Sequence, residues 1–189
     1  MSSPPLVDEH TDDALDDALL ARWRAGDERA ATALVERHAP ALGRYVSSLG
    51  ARAEAEEVVQ DTFVRAFQAL DSFRADSSLR TWLFTIARRL VLDRRRAVGR
   101  RARHEVDAPE GFDAGGEHTA LDDLVAGETQ GRLRAAVERL TPTQREVFLL
   151  RVVEGRAYKE IARIAGTTEG SARVHYHNAI RSIQEFLDV

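Results

Sequence analysis

Residues 157–187 read AYKEIARIAGTTEGSARVHYHNAIRSIQEFL. The spacing predicts a short helix over 157–165, a Gly166-Thr167-Thr168 turn and a longer helix over 169–187, which is helix-turn-helix geometry. Ile161, Ile164 and Ala165 share one face of the short helix, and Ala162 is small enough for the two helices to cross closely. Such a motif places the N-terminal part of its second helix in the major groove of DNA, where Arg pairs with guanine and Asn with adenine. The side chains offered here are Glu169, Ser171, Arg173, Val174, His175, His177 and Asn178, with Arg181 further along. The plainer alternative is a helical hairpin within a bundle. A shared metal ion on His175 and His177 fails on geometry, because side chains two apart on a helix point about 200° from one another.

Upstream, Thr141-Pro142-Thr143-Gln144 carries a helix-start signature: Thr as N-cap, Pro at the first position and Gln at the third. The helix it opens bears Val147, Phe148, Leu150 and Val152 and stops at Glu154-Gly155. Another helix, about 128–140, precedes it. Further back, Leu15, Leu19 and Trp23 mark a short amphipathic helix over 12–25. A longer helix over 28–49 has the stripe Leu34, His38, Leu42, Tyr45 and Leu49, and Pro40 is expected to bend or interrupt it. His38 on that stripe reads as a packed core residue. A third helix, 53–70, buries Val59, Phe63, Ala66, Phe67 and Leu70 and shows a mixed polar face. After a loop over 71–80, a fourth helix runs from Thr81, the expected N-cap, to about Val98, with Trp82, Leu83, Ile86 and Leu90 inward. No strand-like alternation occurs, so the expected class is all-α.

The 189 residues carry a net charge of only −4, but the charge is segregated. Residues 1–20 hold six acids and residues 105–128 hold eight, with no Lys or Arg in either. Without those segments 17 acids face 27 bases, so the other 145 residues carry +10. Nine arginines and a single acid, Asp93, fall between Arg80 and Arg103. Such a helix face repels itself and suits a polyanion, with Trp82, Phe73 and Phe84 nearby as candidate stacking partners. The expected organisation is a disordered tail over 1–11, a helical domain over 12–103, an acidic linker over 104–127 and a second helical domain over 128–189.

Function classes are excluded as well. There is no cysteine, hence no disulfide, thiol nucleophile or cysteine zinc site. No apolar run reaches the ~18 residues of a membrane span, and the N-terminus lacks the regions of a signal peptide, so a cytoplasmic location without membrane insertion is expected. Phosphate-loop, nucleophile-elbow, zinc-protease and dinucleotide motifs are missing, so neither an enzyme nor a cofactor is expected.

With those residues in place, the chain resembles bacterial RNA polymerase sigma factors of the extracytoplasmic-function (ECF) subfamily, within the sigma-70 family. EAEEVVQDTFVRA at 54–66 is similar to the family's polymerase-binding helix. TWLFTIAR at 81–88 is similar to its T-W-L-x-x-I-A-R stretch, with Asp93 and Arg96 following. LTPTQREVF at 140–148 is similar to L-P-x-x-x-R-x-V-F, and YKEIA at 158–162 with Glu169-Gly170 fits the closing helix-turn-helix.

The resemblance covers about residues 15–188 and implies roles. Glu57, Gln60, Asp61 and Arg65 would meet the clamp of core RNA polymerase, and the C-terminal domain its flap. Phe73, Arg74, Ser77, Ser78, Arg80, Arg88, Arg89 and Arg96 would bind the promoter −10 element, duplex and melted. Arg156 and Lys159 would join Glu169, Ser171, Arg173, Val174, His175, His177, Asn178 and Arg181 on the −35 element. An anti-sigma protein is the implied regulatory partner. Arg89 stands where the family usually has Asn, and His175 and Asn178 depart from its recognition helix, so neither promoter sequence is carried over.

Overall fold

The computed structural model describes residues 9–73, 76–104 and 128–188. The expected tail as far as Asp8, the acidic stretch 105–127 and Arg74 lie outside the described residues. Among those described there are eight α-helices and no strand: α1 (Glu9–Arg24), α2 (Glu28–Ser48), α3 (Ala55–Gln68), α4 (Leu79–His104), α5 (Glu128–Glu138), α6 (Pro142–Val152), α7 (Tyr158–Ala165) and α8 (Glu169–Leu187).

The helix starts follow local chemistry. Asp27 caps α2 by accepting from the Arg29 N–H at 3.0 Å. Thr141 and Gln144 form the expected reciprocal capping box at the start of α6. Thr168 caps α8 through the Ser171 N–H at 3.1 Å. Gly166 ends α7 in the left-handed region at φ 64°, where a side chain would be strained.

Several details depart from the sequence reading. Helix α1 begins at Glu9, so residues 9–11 are helical, and Leu15 is 47% exposed while Leu20 takes the buried place. Pro40 does not interrupt α2, because it and Glu36, whose carbonyl loses its partner, are both on the solvent side. In α3 the deepest apolar residue is Val58, and Val59 is only partly buried. Thr81 is not an N-cap. Helix α4 starts two residues earlier, Ser78 Oγ accepts from the Thr81 N–H at 3.2 Å, and Thr81 itself is fully buried. Val152 is 41% exposed at the end of α6.

Packing does not divide along the expected domain boundary. The larger core joins Leu34, Leu42, Val46, Val58, Phe63, Leu83, Phe84 and Val91 from α2–α4 with Val147 and Leu150 of α6, Ile161 and Ile164 of α7 and Ala172 of α8. Helix α4 packs on α7, and α2 on α6. A smaller cluster of Ala136, Val137, Leu140, Phe148, Leu149, Ala179 and Ile183 ties α5, α6 and α8 together. Arg145 braces this part by donating to the carbonyls of Val137, Glu138 and Leu140 at the end of α5. His38 is buried as expected. Its Nε2 lies 2.9 Å from Asp16 Oδ2, and Arg37 Nε lies 2.9 Å from Asp16 Oδ1, both contacts being off the line of a hydrogen bond.

Candidate functional site

Three surfaces gather the residues singled out by sequence. The first is the polar face of α3. Glu57, Gln60 and Arg65 are exposed and Asp61 is half-exposed. Arg94 of α4 reaches this face and draws three acids to one guanidinium: Asp61 at 2.7 Å, Glu57 at 3.0 Å and Glu54 at 3.7 Å. The Glu57 hydrogen bond leads the effects that raise the Arg94 pKa above its ordinary value; burial opposes, and Asp61 adds to the rise. In the sequence Arg94 stands out only as one of the nine arginines between Arg80 and Arg103. Its 33-residue separation from Asp61 gives no periodic signal.

The second surface is the start and outer side of α4. Phe73 is half-buried and pairs with Trp82 at a ring distance of 4.9 Å, so this aromatic pair is partly structural. Arg89 and Arg96 are exposed, and Ser77 is half-buried. Arg96 lies 3.6 Å from Asp93. Ser78, Arg80 and Arg88 have another occupation: each meets a glutamate from the C-terminal half. Arg88 Nε donates to Glu146 Oε1 at 2.7 Å, and the Tyr45 hydroxyl donates to the same oxygen at 2.7 Å. Arg80 donates to Glu154 Oε2 at 2.6 Å, and Arg44 lies 3.4 Å from Glu154 Oε1. Ser78 and Thr81 both donate to Glu160 Oε1.

The electrostatics fit this embrace. Glu146 and Glu154 are buried, at 6% and 5% exposure, and a buried carboxylate is tolerated only when paired and hydrogen-bonded. Burial pushes the Tyr45 hydroxyl well above its ordinary pKa. The Glu146 charge and hydrogen bond push it the same way, against a smaller pull from Arg88. For Glu160 burial acts upward, but hydrogen bonds from Thr81, Ala157 and Ser78 and the Arg156 charge outweigh it and hold the carboxyl below its usual value. Nothing in the sequence pointed these glutamates at residues 78–88: Glu154 read only as part of a helix end, and Glu160 only as part of the short helix of the helix-turn-helix.

The third surface is the N-terminal half of α8. Glu169, Arg173, Val174, His177 and Arg181 are exposed, and Ser171, His175 and Asn178 are half-buried. Val174 is 57% exposed, and no core position is offered to it. Arg173 sits 4.5 Å over the Tyr158 ring and pairs with Glu169. Arg181 donates to Asn178 Oδ1 at 3.2 Å. Lys159 on α7 is exposed. Arg156 is placed otherwise: it is 8% exposed, donates to the Glu154 carbonyl at 2.8 Å and lies 3.4 Å from Glu160. Its position is inside the turn that joins α6 to α7, not on the open face. Among the described residues no group of His, Asp and Glu is arranged to hold a metal ion, and no helix is long and apolar enough to cross a membrane.

Comparison with known proteins agrees with this geometry. Residues 34–101 match the family model for Sigma-70 region 2, and residues 130–183 match that for Sigma-70, region 4. The chain is 32% identical over 175 residues to the ECF RNA polymerase sigma-E factor of Escherichia coli K12, covering 89% of this chain and 92% of that protein. It is also 32% identical to the ECF RNA polymerase sigma factor BldN of Streptomyces coelicolor, of whose length it spans 64%. Among solved structures it is similar to the sigma factor RpoE of Bartonella quintana, crystallised with the anti-sigma factor NepR. There the TM-score is 0.69 at 29% identity, over 84% of this chain and 96% of that one. It is similar too to CnrH in complex with the cytosolic domain of CnrY, with a TM-score of 0.65 at 28% identity, over 92% and 97%. Two sigma-70 regions in order, along a chain matched almost end to end by ECF relatives, place this protein in the ECF subfamily of the sigma-70 family of sigma factors.

Proposed function

We propose that this sigma factor binds core RNA polymerase, recognises promoter −10 and −35 elements and directs transcription initiation in the cytoplasm, under control of an anti-sigma protein. It makes no bond itself; polymerase supplies the chemistry. In this reading residues 12–103 act as sigma domain 2 and 128–189 as sigma domain 4, joined by the acidic stretch 104–127. The α3 face of Glu57, Gln60, Asp61 and Arg65 meets the clamp, and the C-terminal domain meets the flap. The −10 element is taken by Phe73, Arg74, Ser77, Ser78, Arg80, Arg88, Arg89 and Arg96, the −35 element by α8 with Lys159 at its margin, while Arg156 stays inside the α6–α7 turn. The anti-sigma control rests on the similar sigma factor RpoE crystallised with the anti-sigma factor NepR.

The observation that carries the reading is the exposed N-terminal half of α8, with Arg173, Val174, His177 and Arg181 uncovered and capped in place by Thr168. A helix presented in this manner, in a chain that also carries an arginine-rich helix, suits groove readout combined with phosphate contact. Run-off transcription with purified core polymerase on genomic DNA tests it. Discrete transcripts that depend on the protein support the proposal, and their start sites yield both promoter elements. Silence together with duplex binding replaces it with a polymerase-independent regulator.

A further inference from the structure

The three interhalf glutamates converge on one stretch of the N-terminal half. Glu146 of α6, Glu154 of the α6–α7 turn and Glu160 of α7 take up Arg88, Arg80 and the Ser78–Thr81 hydroxyls, all within residues 78–88. Arg163 extends the contact by donating to the Asp76 carbonyl, and the ideal Cβ position of Gly166 lies 3.7 Å from Arg88 Nη1. Each carboxylate presents to its guanidinium or hydroxyls the same chemistry as a phosphate: anionic oxygen in hydrogen-bonding range. The other two surfaces are left open. Glu57, Gln60 and Arg65 are exposed on α3, and Arg173, Val174, His177 and Arg181 are exposed on α8.

We infer that Glu146, Glu154 and Glu160 form an intramolecular phosphate mimic that closes the C-terminal half over the DNA-binding residues Ser78, Arg80 and Arg88. The closed molecule thus offers its polymerase and −35 faces while withholding the −10 surface. This rests on the proposed role of residues 78–88 in −10 binding. DNA and the glutamates are mutually exclusive ligands, so opening must precede or accompany −10 engagement, and any surface that holds the two halves apart activates the molecule. Tyr45 and Arg44 belong to the closure but not to the proposed DNA face. They bind the glutamates from α2, and their loss frees Arg80 and Arg88 without altering either.

That separation supplies the test. The full chain has no cysteine, so spin labels on Glu36→Cys and Gln184→Cys, both exposed, report the distance between halves. The probe is a 30-nucleotide single-stranded DNA of mixed sequence, followed by fluorescence anisotropy. Tyr45→Phe changes no charge and keeps the ring packed 4.9 Å from Phe84. It should add a long-distance population and tighten DNA binding several-fold, toward about tenfold if the whole hydrogen bond is lost. Glu154→Gln should do the same more strongly than the charge-matched control Glu185→Gln, on the exposed side of α8. Circular dichroism checks that each variant stays helical. Unchanged distances in both Tyr45→Phe and Glu154→Gln overturn the closure. Wider distances with DNA affinity no better than the control overturn the claim that Arg80 and Arg88 are withheld from DNA. Run-off transcription independently reports whether the sigma reading itself survives.

Discussion

Removing the hydroxyl of Tyr45 while removing the charge of Glu146 isolates the best-formed contact between the two halves. The Tyr45 hydroxyl and Glu146 Oε1 are 2.7 Å apart, and both residues are buried. A hydrogen bond to a charged group contributes about 1.5–3 kcal/mol. Glu146 keeps its bond from Arg88 at 2.7 Å when Tyr45 becomes Phe, so the lower end applies, about 1.5 kcal/mol. For a chain of this size that corresponds to a drop in melting temperature of roughly 3–6 °C. Glu146→Gln should cost more, because Arg88 then faces a neutral amide in a quarter-exposed setting. The double variant should fall short of the sum of the singles by about 0.5–1 kcal/mol, since Glu146→Gln strips the acceptor charge from the bond that Tyr45→Phe removes. Denaturant melts of the four proteins measure this. Additivity within about 0.3 kcal/mol would refute the reasoning, because it would mean the Glu146 charge adds nothing to the Tyr45 bond in solution. Alkaline titration gives an independent reading. The Tyr45 pKa is raised in the folded protein, so its stabilisation is complete below the ordinary value of 10.0 and is lost as pH rises beyond it. Its 295 nm tyrosinate signal should therefore emerge only with unfolding.

Arg94→Ala should lower stability by about 1 kcal/mol, the acids it gathers being half to two-thirds exposed, and should weaken capture by core polymerase as Glu54, Glu57 and Asp61 repel one another. Arg94→Lys should restore only part of this, since an ammonium lacks the forked donors, and a pull-down with core polymerase against salt concentration measures both. Arg89→Ala should leave the melting temperature within a degree or two, yet reduce the log–log salt slope of DNA binding by about one, read from anisotropy titrations. At the acid end, Glu160 has a depressed pKa, so its contribution is present above the ordinary value of 4.5 and is lost as pH falls through the lower folded value. Thermal melts should be flat in this respect near neutrality and decline at acid pH, and Glu160→Gln should flatten that decline.

Much of this architecture was legible because helix chemistry is local. The α6 start needs only Thr141, Pro142 and Gln144, and the inward face of α7 needs only the spacing of Ile161, Ile164 and Ala165. The polar face of α3 and the first half of α8 were singled out in the sequence, and Glu57, Gln60, Arg65, Arg173, Val174 and His177 are exposed there. Three things resisted. Thr81 has the composition of a cap, but Ser78, three residues earlier, supplies the capping oxygen and frees Thr81 to donate to Glu160. Pro40 has the signature of a helix break, but the lost bond faces water. The docking of the two halves leaves no periodic trace, because it depends on residues 58–110 apart: Arg88 with Glu146, Tyr45 with Glu146, Arg44 with Glu154. An apolar stripe shows that a helix face is buried without saying against what.

The shared core has a consequence for the molecule's life between partners. Val147, Leu150, Ile161, Ile164 and Ala172, each at most 1% exposed, belong to the same cluster as the helices of the N-terminal half. Parting the halves wets part of that apolar surface, and soluble monomers rarely present patches of this kind to water without attracting other chains. An opened molecule that meets no polymerase is therefore a candidate for self-association, visible as light scattering that rises with concentration in the Tyr45→Phe protein. The closed form is, in this sense, the chain's own chaperone: it keeps an adhesive surface folded inward until a larger assembly is there to receive it.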